Sequence, residues 1–383
     1  MKSALYDAGS REELLLSITV DHTGDSGGRL KIADPNGNIL FESAGNCRDV
    51  NAGLEAMFAW LGEHRFLSGL AAVGHRLVQG GPRHKEPLQI NSEFLREIEQ
   101  LIPLDPDHLP AAIEGIKFIA RKFPELPQVA CFDTAFHSSI PRVASMYALP
   151  RRLYDQGILR YGFHGLSYEY VMGELQSLEG KLADGRVIIA HLGSGASMVA
   201  VKNGKSIDTS MGFTPLEGLV MATRSGDVDP GALLYLSEYK KMSAKEINTL
   251  VNKQSGLLGV SETSSDMKVL LDNASRDPRA GQALDSFCYR AKKYIGAYLA
   301  AMNGADALIF TGGIGENSPE IRAQICADLE NLGIALDPAE NTSRSREDRQ
   351  IGKSAIPVWV VPTEEELLIA RDTLRCILGI AHE

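Results

Sequence analysis

The chain has 383 residues, 44% of them hydrophobic and 23% charged, which is ordinary globular composition but more than one typical core, so two domains are expected. A net charge of −10 argues against nucleic acid or an anionic membrane surface as general partners, since both ask for basic patches. No apolar run reaches the roughly 18 residues that span a bilayer.

The opening segment MKSALYDAGS lacks the long apolar stretch of a cleaved leader, and a cytoplasmic protein is expected. Residues 3–20 predict a strand, a turn around Asp7-Ala8-Gly9-Ser10, and a strand through 14–20. Helices are predicted over 50–64, 92–101 and 109–122. Residues 128–133 read as a buried strand that ends in the carboxylate of Asp133, and a helix follows over 167–179. The cysteines, Cys47, Cys131, Cys288, Cys326 and Cys376, are odd in number and without CxxC spacing. They suggest neither a disulfide frame nor a zinc site, but small buried residues in a reducing compartment.

The most informative stretch, VIIAHLGSGASMVAV at 187–201, is an apolar run broken at His191-Leu192-Gly193-Ser194-Gly195 and then resumed. It predicts a strand, a glycine turn and a strand. Glycines there permit positive φ and let backbone N–H groups approach an anion. The Gly-Lys-Ser/Thr ending of a P-loop is missing, and a strand rather than a helix follows, so neither the P-loop nor the dinucleotide fingerprint fits. A hairpin that cradles phosphates is the functional reading; an ordinary tight hairpin is the plain one. The design repeats that of residues 3–20. Further on come a helix over 280–303, a buried strand over 305–311, a glycine-rich loop, and a helix with Ser318 at its N-cap and Pro319 first. Residues 342–353 read as a surface loop and 357–361 as the last strand. Thr363 then opens the final helix, with Glu366 at capping-box spacing. Alternating strands and helices place the chain in the α/β class.

Five segments carry more specific wording: FDTAFH from Phe132, YGFHG from Tyr161, MGFTPLEGLVMATRSGDVDPG from Met211, FTGGIGENSPEIR from Phe310 and VPTEEELLIARDT from Val361. In this order, across nearly the whole chain, they resemble the acetate kinase family. The resemblance implies a two-domain actin-like (ribonuclease H-like) kinase fold with a duplicated βββαβαβα core and an interdomain cleft. The first domain would span 1–135 plus 367–383. The second, 136–366, would bind nucleotide and dimerise. The implied activity is reversible transfer of the ATP γ-phosphoryl group to acetate with Mg²⁺, or Mn²⁺ in its place, by a homodimer. Propionate or another short acid as acceptor, pyrophosphate as donor, and a non-catalytic nucleotide-binding protein are the alternatives.

Bringing a carboxylate to a γ-phosphoryl group juxtaposes two anions, so the site must supply cations and donors. Arg76 in GHRLVQGG and Arg224 in MATRSGDVDPG sit in turn-rich contexts, where the plain reading is loop bracing. The resemblance makes them the arginines that contact the acid and the transferred group. It also makes Asp133 the catalytic aspartate, here assigned to positioning and electrostatics because an ionised acid needs no strong base. His164 becomes the transition-state histidine. Val78, Phe163 and Pro215 would surround the acyl methyl, with His108 beside them, although a register shift of three would put Asp105 in its place. For the nucleotide the resemblance points to His191, Leu192, Gly193, Ser194 and Gly195, to Asp266, Met267 and Lys268, and to Gly313, Ile314, Gly315, Glu316 and Asn317. For the metal it points to Asp7 and Glu365, leaving Glu366 to the helix cap.

The family pattern is broken in places. The first hairpin carries Glu12 and Leu14 where a serine and a phosphate-directed lysine are usual, with Arg11 as a displaced cation. Ser194 and Asp7 each replace an asparagine, Lys268 replaces an arginine, and Asp107 falls where leucine is usual.

Overall fold

The computed structural model describes residues 1–9, 12–21, 27–45, 47–343, 345 and 347–380. The chain divides into two compact units, Met1–Ala135 with Glu364–Glu383, and Phe136–Thr363. The return to the first unit begins at Glu364, three residues ahead of the expected 367, so Glu365 and Glu366 belong with Arg76 and Asp133. Among the described residues no helix is long and apolar enough to cross a membrane.

In the first unit, strands β1 (Lys2–Asp7), β2 (Glu13–Asp21), β3 (Arg29–Ala33) and β4 (Ile39–Ala44) form an antiparallel sheet in that order. Strict alternation along β2 buries Leu16, Ile18 and Val20, the period-2 pattern of a sheet with one face on the core. The helix Val50–Glu63 covers that face through Leu54, Met57, Phe58 and Leu61, started by Asp49, whose carboxylate accepts from the Ala52 N–H at 2.8 Å.

A second sheet runs β5 (Val73–Leu77), β7 (Gln128–Phe132), β6 (Leu88–Gln89). β5 and β7 are parallel, with Arg76 opposite Cys131 and Leu77 opposite Phe132. All of β7 is buried, as the apolar run 129–132 dictates, with Gln128 at its start hydrogen-bonded to His75. This register brings Arg76 to the strand end from which Asp133 emerges.

The second unit has one six-stranded sheet, ordered β10 (Lys205–Thr209), β9 (Ala196–Lys202), β8 (Arg186–Leu192), β11 (Ala307–Thr311), β13 (Val358–Val360) and β12 (Arg349–Gly352). β8, β11 and β13 are parallel, and β8–β9–β10 is an antiparallel meander. The hairpin expected at 187–201 is β8–β9, which pairs His191 with Ser197 and Leu192 with Ala196. The second unit thus holds in one sheet what the first divides between two. Long helices Gly165–Ala183 and Pro278–Met302 contribute Tyr168, Leu175, Phe287 and Ile295 to its core.

Three local expectations need correction. The stretch 342–353 is not all loop, because Arg349–Gly352 pairs antiparallel with β13. Residues Gly312–Asn317 are a short helix rather than an open glycine loop. The final helix is Glu365–Leu378 with Glu364 at the N-cap and no side-chain capping bond. No Thr363–Glu366 capping box forms: the Thr363 hydroxyl is buried without a partner, while its N–H donates to Glu316 at 3.2 Å. Ser318 does hold the N-cap position before Pro319, also without a side-chain bond.

Candidate active site

The first unit presents a cluster built on Arg76. Its Nε donates to Oδ1 of Asp133 at 2.8 Å and its Nη2 to Oδ2 at 2.7 Å, a bidentate fork. Its Nη1 lies 2.9 Å from Oε2 of Glu365. Asp133 is buried, Glu365 nearly so, and Arg76 keeps 39% of its side chain exposed. Asp133 is pinned by its own N–H, which donates to the Leu77 carbonyl at 3.0 Å. The Arg76 pKa is raised, first by the Asp133 charge. Burial lifts Glu365 to about 7 against the pull of Arg76, with Asp133 and Glu366 adding to the rise. Three of the five guanidinium N–H groups are therefore committed, and the other two have no partner among the described residues.

The second unit presents a different cluster. His164 precedes the helix Gly165–Ala183 in the left-handed region, at φ 59°, a conformation that costs a non-glycine residue about 1 kcal/mol and marks functional sites. Its Nδ1 lies 2.8 Å from Oγ of Ser197, which is also hydrogen-bonded to the Tyr168 hydroxyl. The His164 and His191 rings stack with centroids 4.3 Å apart, and His191 Nδ1 lies 2.8 Å from Oγ of Ser167. A β-carbon on Gly195 would stand 3.4 Å from His164 Nε2 and 3.7 Å from Arg224 Nη1. Gly195 is thus where the hairpin turn, the imidazole and the guanidinium meet. Arg224 Nη1 also donates to the Pro215 carbonyl at 3.2 Å, and the Ala222 N–H to the Ser194 carbonyl at 3.0 Å. Phe163 is buried, its carbonyl 3.0 Å from His137 Nε2.

The turn Gly312–Asn317 adjoins the hairpin. Gly312 has φ +76°, and a β-carbon there would come within 2.9 Å of the Leu192 carbonyl oxygen. Only glycine permits that approach. Glu316 caps its own turn, accepting from the Gly312 N–H at 2.9 Å, and burial raises its pKa. Arg322, 1% exposed, holds the turn from beneath: Nη1 donates to the Gly315 and Glu316 carbonyls at 2.7 and 2.9 Å, and Nε and Nη2 donate to Asn341 at 2.8 and 2.6 Å. Burial and the nearby Arg349 lower Arg322 to about 10. Asp266 caps the helix Met267–Asn273, accepting from Val269 N–H at 2.9 Å; Met267 is buried and Lys268 exposed.

The departures from pattern find local partners. Glu12, in the left-handed region at φ 49°, meets the guanidinium of Arg371 at 2.9 Å. Leu14 pairs with Tyr6 in the first hairpin; Arg11 lies outside the described residues. Asp7 is exposed, and its Oδ1 accepts from the Gly9 N–H at 3.1 Å. His108 and Asp105, the two register choices, touch each other: Nδ1 lies 2.7 Å from Oδ1. Asp107 is exposed, and Val78 is half-buried beyond β5. Among the described residues no group of three or more His, Cys, Asp or Glu side chains stands ready to hold a metal ion. Ser197, Tyr168, Arg322 and Arg371 were not singled out in the sequence. Arg322 closes the FTGGIGENSPEIR segment and Ser197 follows Gly195 by two, yet nothing local marks their partners.

Comparison with known proteins places the whole chain in a family. The profile of the Acetokinase family matches residues 1–371. The acetate kinase of Solibacter usitatus is 48% identical over 363 residues, covering 91% of this chain and 88% of its own. Among solved structures, the Porphyromonas gingivalis acetate kinase superposes with a TM-score of 0.89 at 39% identity, covering 98% of this chain and 99% of its own. A propionate kinase from Francisella tularensis superposes with a TM-score of 0.91 at 38% identity, covering 98% and 96%.

Proposed function

The chain belongs to the acetokinase family, and from that premise we propose that it is an acetate kinase, transferring the ATP γ-phosphoryl group reversibly to acetate to give acetyl phosphate and ADP. The observation that carries the reading at residue level is the meeting of His164 Nε2 and Arg224 Nη1 at Gly195. A glycine turn that offers backbone N–H groups, flanked by an imidazole and a guanidinium, suits an anion whose charge spreads over equatorial oxygens.

Arg224 and His164 act on the transferred phosphoryl group, and the backbone N–H groups of Ser194 and Gly195 hold the neighbouring phosphate, the Gly193 N–H being spent inside the turn on the Gly195 carbonyl at 3.1 Å. The Gly312–Asn317 turn, braced by Arg322, receives the adenosine side, and Lys268 supplies charge without a planar stacking surface. Arg76 offers its two free N–H groups to the carboxylate of the acid. Asp133 and Glu365 hold that guanidinium in place, so Asp133 is a positioning and electrostatic residue rather than a base. Val78, Phe163 and Pro215 are the apolar candidates for the acyl group, with His108 polarised by Asp105.

Mg²⁺ fits the donor set: Asp7 and Glu365 are hard carboxylates, and this ion keeps most of its shell as water and phosphate oxygen, so a dedicated three-ligand cage is unnecessary. When bound it neutralises charge on the bridging phosphates. We also assign a homodimer, formed through the helix Pro230–Glu238. That helix buries none of its residues and leaves Leu234 60% and Tyr235 50% exposed, an apolar face that calls for a partner. A cytoplasmic location accords with the reduced cysteines.

A hydroxamate assay for acyl phosphate tests the proposal, run with acetate, propionate and butyrate against ATP, GTP and pyrophosphate. Acetate with ATP and Mg²⁺ is the expected best pair. Absence of acyl phosphate in every combination would overturn it. Light scattering of wild type and Leu234→Glu tests the dimer: the variant should be monomeric.

A further inference from the structure

We propose that Ser197 and Tyr168 are positioning residues that fix the His164 imidazole in the tautomer carrying its proton on Nε2. The inference rests on the reading above that His164 faces the transferred phosphoryl group. Its geometry is a chain of three groups: the Tyr168 hydroxyl, Ser197 Oγ and His164 Nδ1, with the last two 2.8 Å apart. Ser197 and Tyr168 are both fully buried, one on β9 and one on the helix that His164 begins.

A serine hydroxyl has one proton to give. If Tyr168 donates to Ser197 and Ser197 donates to Nδ1, the neutral ring must carry its hydrogen on Nε2. Nε2 then brings a donor to the side of Gly195, where a β-carbon would stand 3.4 Å from it and 3.7 Å from Arg224 Nη1. The reversed chain would put the proton on Nδ1 and aim the Nε2 lone pair at an anionic oxygen, which repels it. A neutral ring that donates also avoids a second full cation beside the Arg224 guanidinium. Successive hydroxyl donors polarise one another, so the chain strengthens the choice of direction.

Two further observations agree. His164 sits in a left-handed conformation, which persists only where surrounding contacts over-determine it. The stacked His191 repeats the device, with Ser167 Oγ against its own Nδ1. Two adjacent rings thus each have a serine hydroxyl at Nδ1.

The test combines ¹⁵N spectra of histidine-labelled protein without ligand, assigned with His164→Gln, and steady-state kinetics. Wild type should show His164 with a pyrrole-type Nε2 and a pyridine-type Nδ1. Ser197→Ala should leave a mixture of tautomers and lower kcat on the order of tenfold, with the ATP KM within about twofold. Tyr168→Phe should produce a smaller change in both readouts, because Ser197 can still donate. An Nδ1–H tautomer in wild type, or an unchanged tautomer in Ser197→Ala, would overturn the proposal. Should Ser197→Ala fold poorly, the wild-type spectrum and Tyr168→Phe decide the matter. Failure of the functional reading looks different: His164→Gln would then keep kcat within about threefold whatever tautomer the ring adopts.

Discussion

Glu12 and Arg371 form a forked ion pair between residues 359 positions apart, with Nε 3.1 Å from Oε2 and Nη2 2.9 Å from the same oxygen. The pair ties the turn of the first hairpin to the last helix. It also offsets the acidic charge of Glu12. The pair is partly exposed, so its contribution to stability is at most about 1 kcal/mol. Glu12→Ser should therefore change the unfolding midpoint little and tighten ATP only slightly. Leu14→Lys, which adds an uncommitted cation, should tighten ATP more. Calorimetric titration of both variants checks the order, and a larger effect from Glu12→Ser would show that Arg371 does not offset the charge.

Arg76 and Arg224 should separate in their effects on stability. Arg76→Ala leaves the buried Asp133 without its forked partner, and should cost about 1–3 kcal/mol in urea unfolding as well as turnover. Arg224→Ala, which in the proposed mechanism removes a donor to developing charge, has an expected loss of roughly two to three orders of magnitude in kcat, with ATP affinity within several-fold. Lysine should rescue either only in part, since it lacks the fork. Turnover within threefold of wild type for both alanine variants would remove the arginines from the mechanism.

Glu365 and Glu366 are adjacent but differently placed. Glu365→Gln weakens the contact to Arg76 and should raise the Mg²⁺ concentration needed for half-maximal rate. Glu366→Gln should be nearly silent, within about 0.5 kcal/mol of stability, because no capping box depends on it. A silent Glu365→Gln with a magnesium defect in Glu366→Gln would reverse the assignment.

His75 supplies a pH dependence. Burial lowers its pKa to about 4, against the pull of a hydrogen bond to Gln128 at 2.8 Å. The folded value lies below the unfolded one of about 6.5, so the folded chain resists protonation. Stability from this group is complete above pH 6.5 and is lost as pH falls towards 4, up to about 3 kcal/mol. His75→Gln should lose less stability than wild type between pH 7 and pH 5 in urea titrations. Equal losses would assign the acid sensitivity to other groups.

Arg322 offers a test of the turn proposed to receive the nucleotide. Arg322→Leu removes four donated hydrogen bonds in one step and should raise the ATP KM by an order of magnitude or more, at about 2–4 kcal/mol of stability. An unchanged KM in a destabilised protein would confine Arg322 to structural support.

The sequence by itself determined the class and the hairpin β8–β9, because those rest on local physics. Continuous apolar runs make buried strands, glycines make the turn between them, and both signals are written within a few residues. It also determined the family, through five segments whose wording is specific. What only tertiary structure decided is who meets whom. Arg76 meets Asp133 and Glu365 because β5 and β7 align in parallel and the chain returns at Glu364. Glu12 finds Arg371 from the opposite end of the chain. Thr363 and Glu366 have capping-box spacing, yet the helix starts one residue later and Thr363 spends its N–H on Glu316. The Gly312–Asn317 segment coils into a helix beneath which Arg322 is buried, although its glycines alone favour a loop. In each case the deciding energy is the burial and pairing of polar groups brought together over long sequence distances, and no local pattern encodes that.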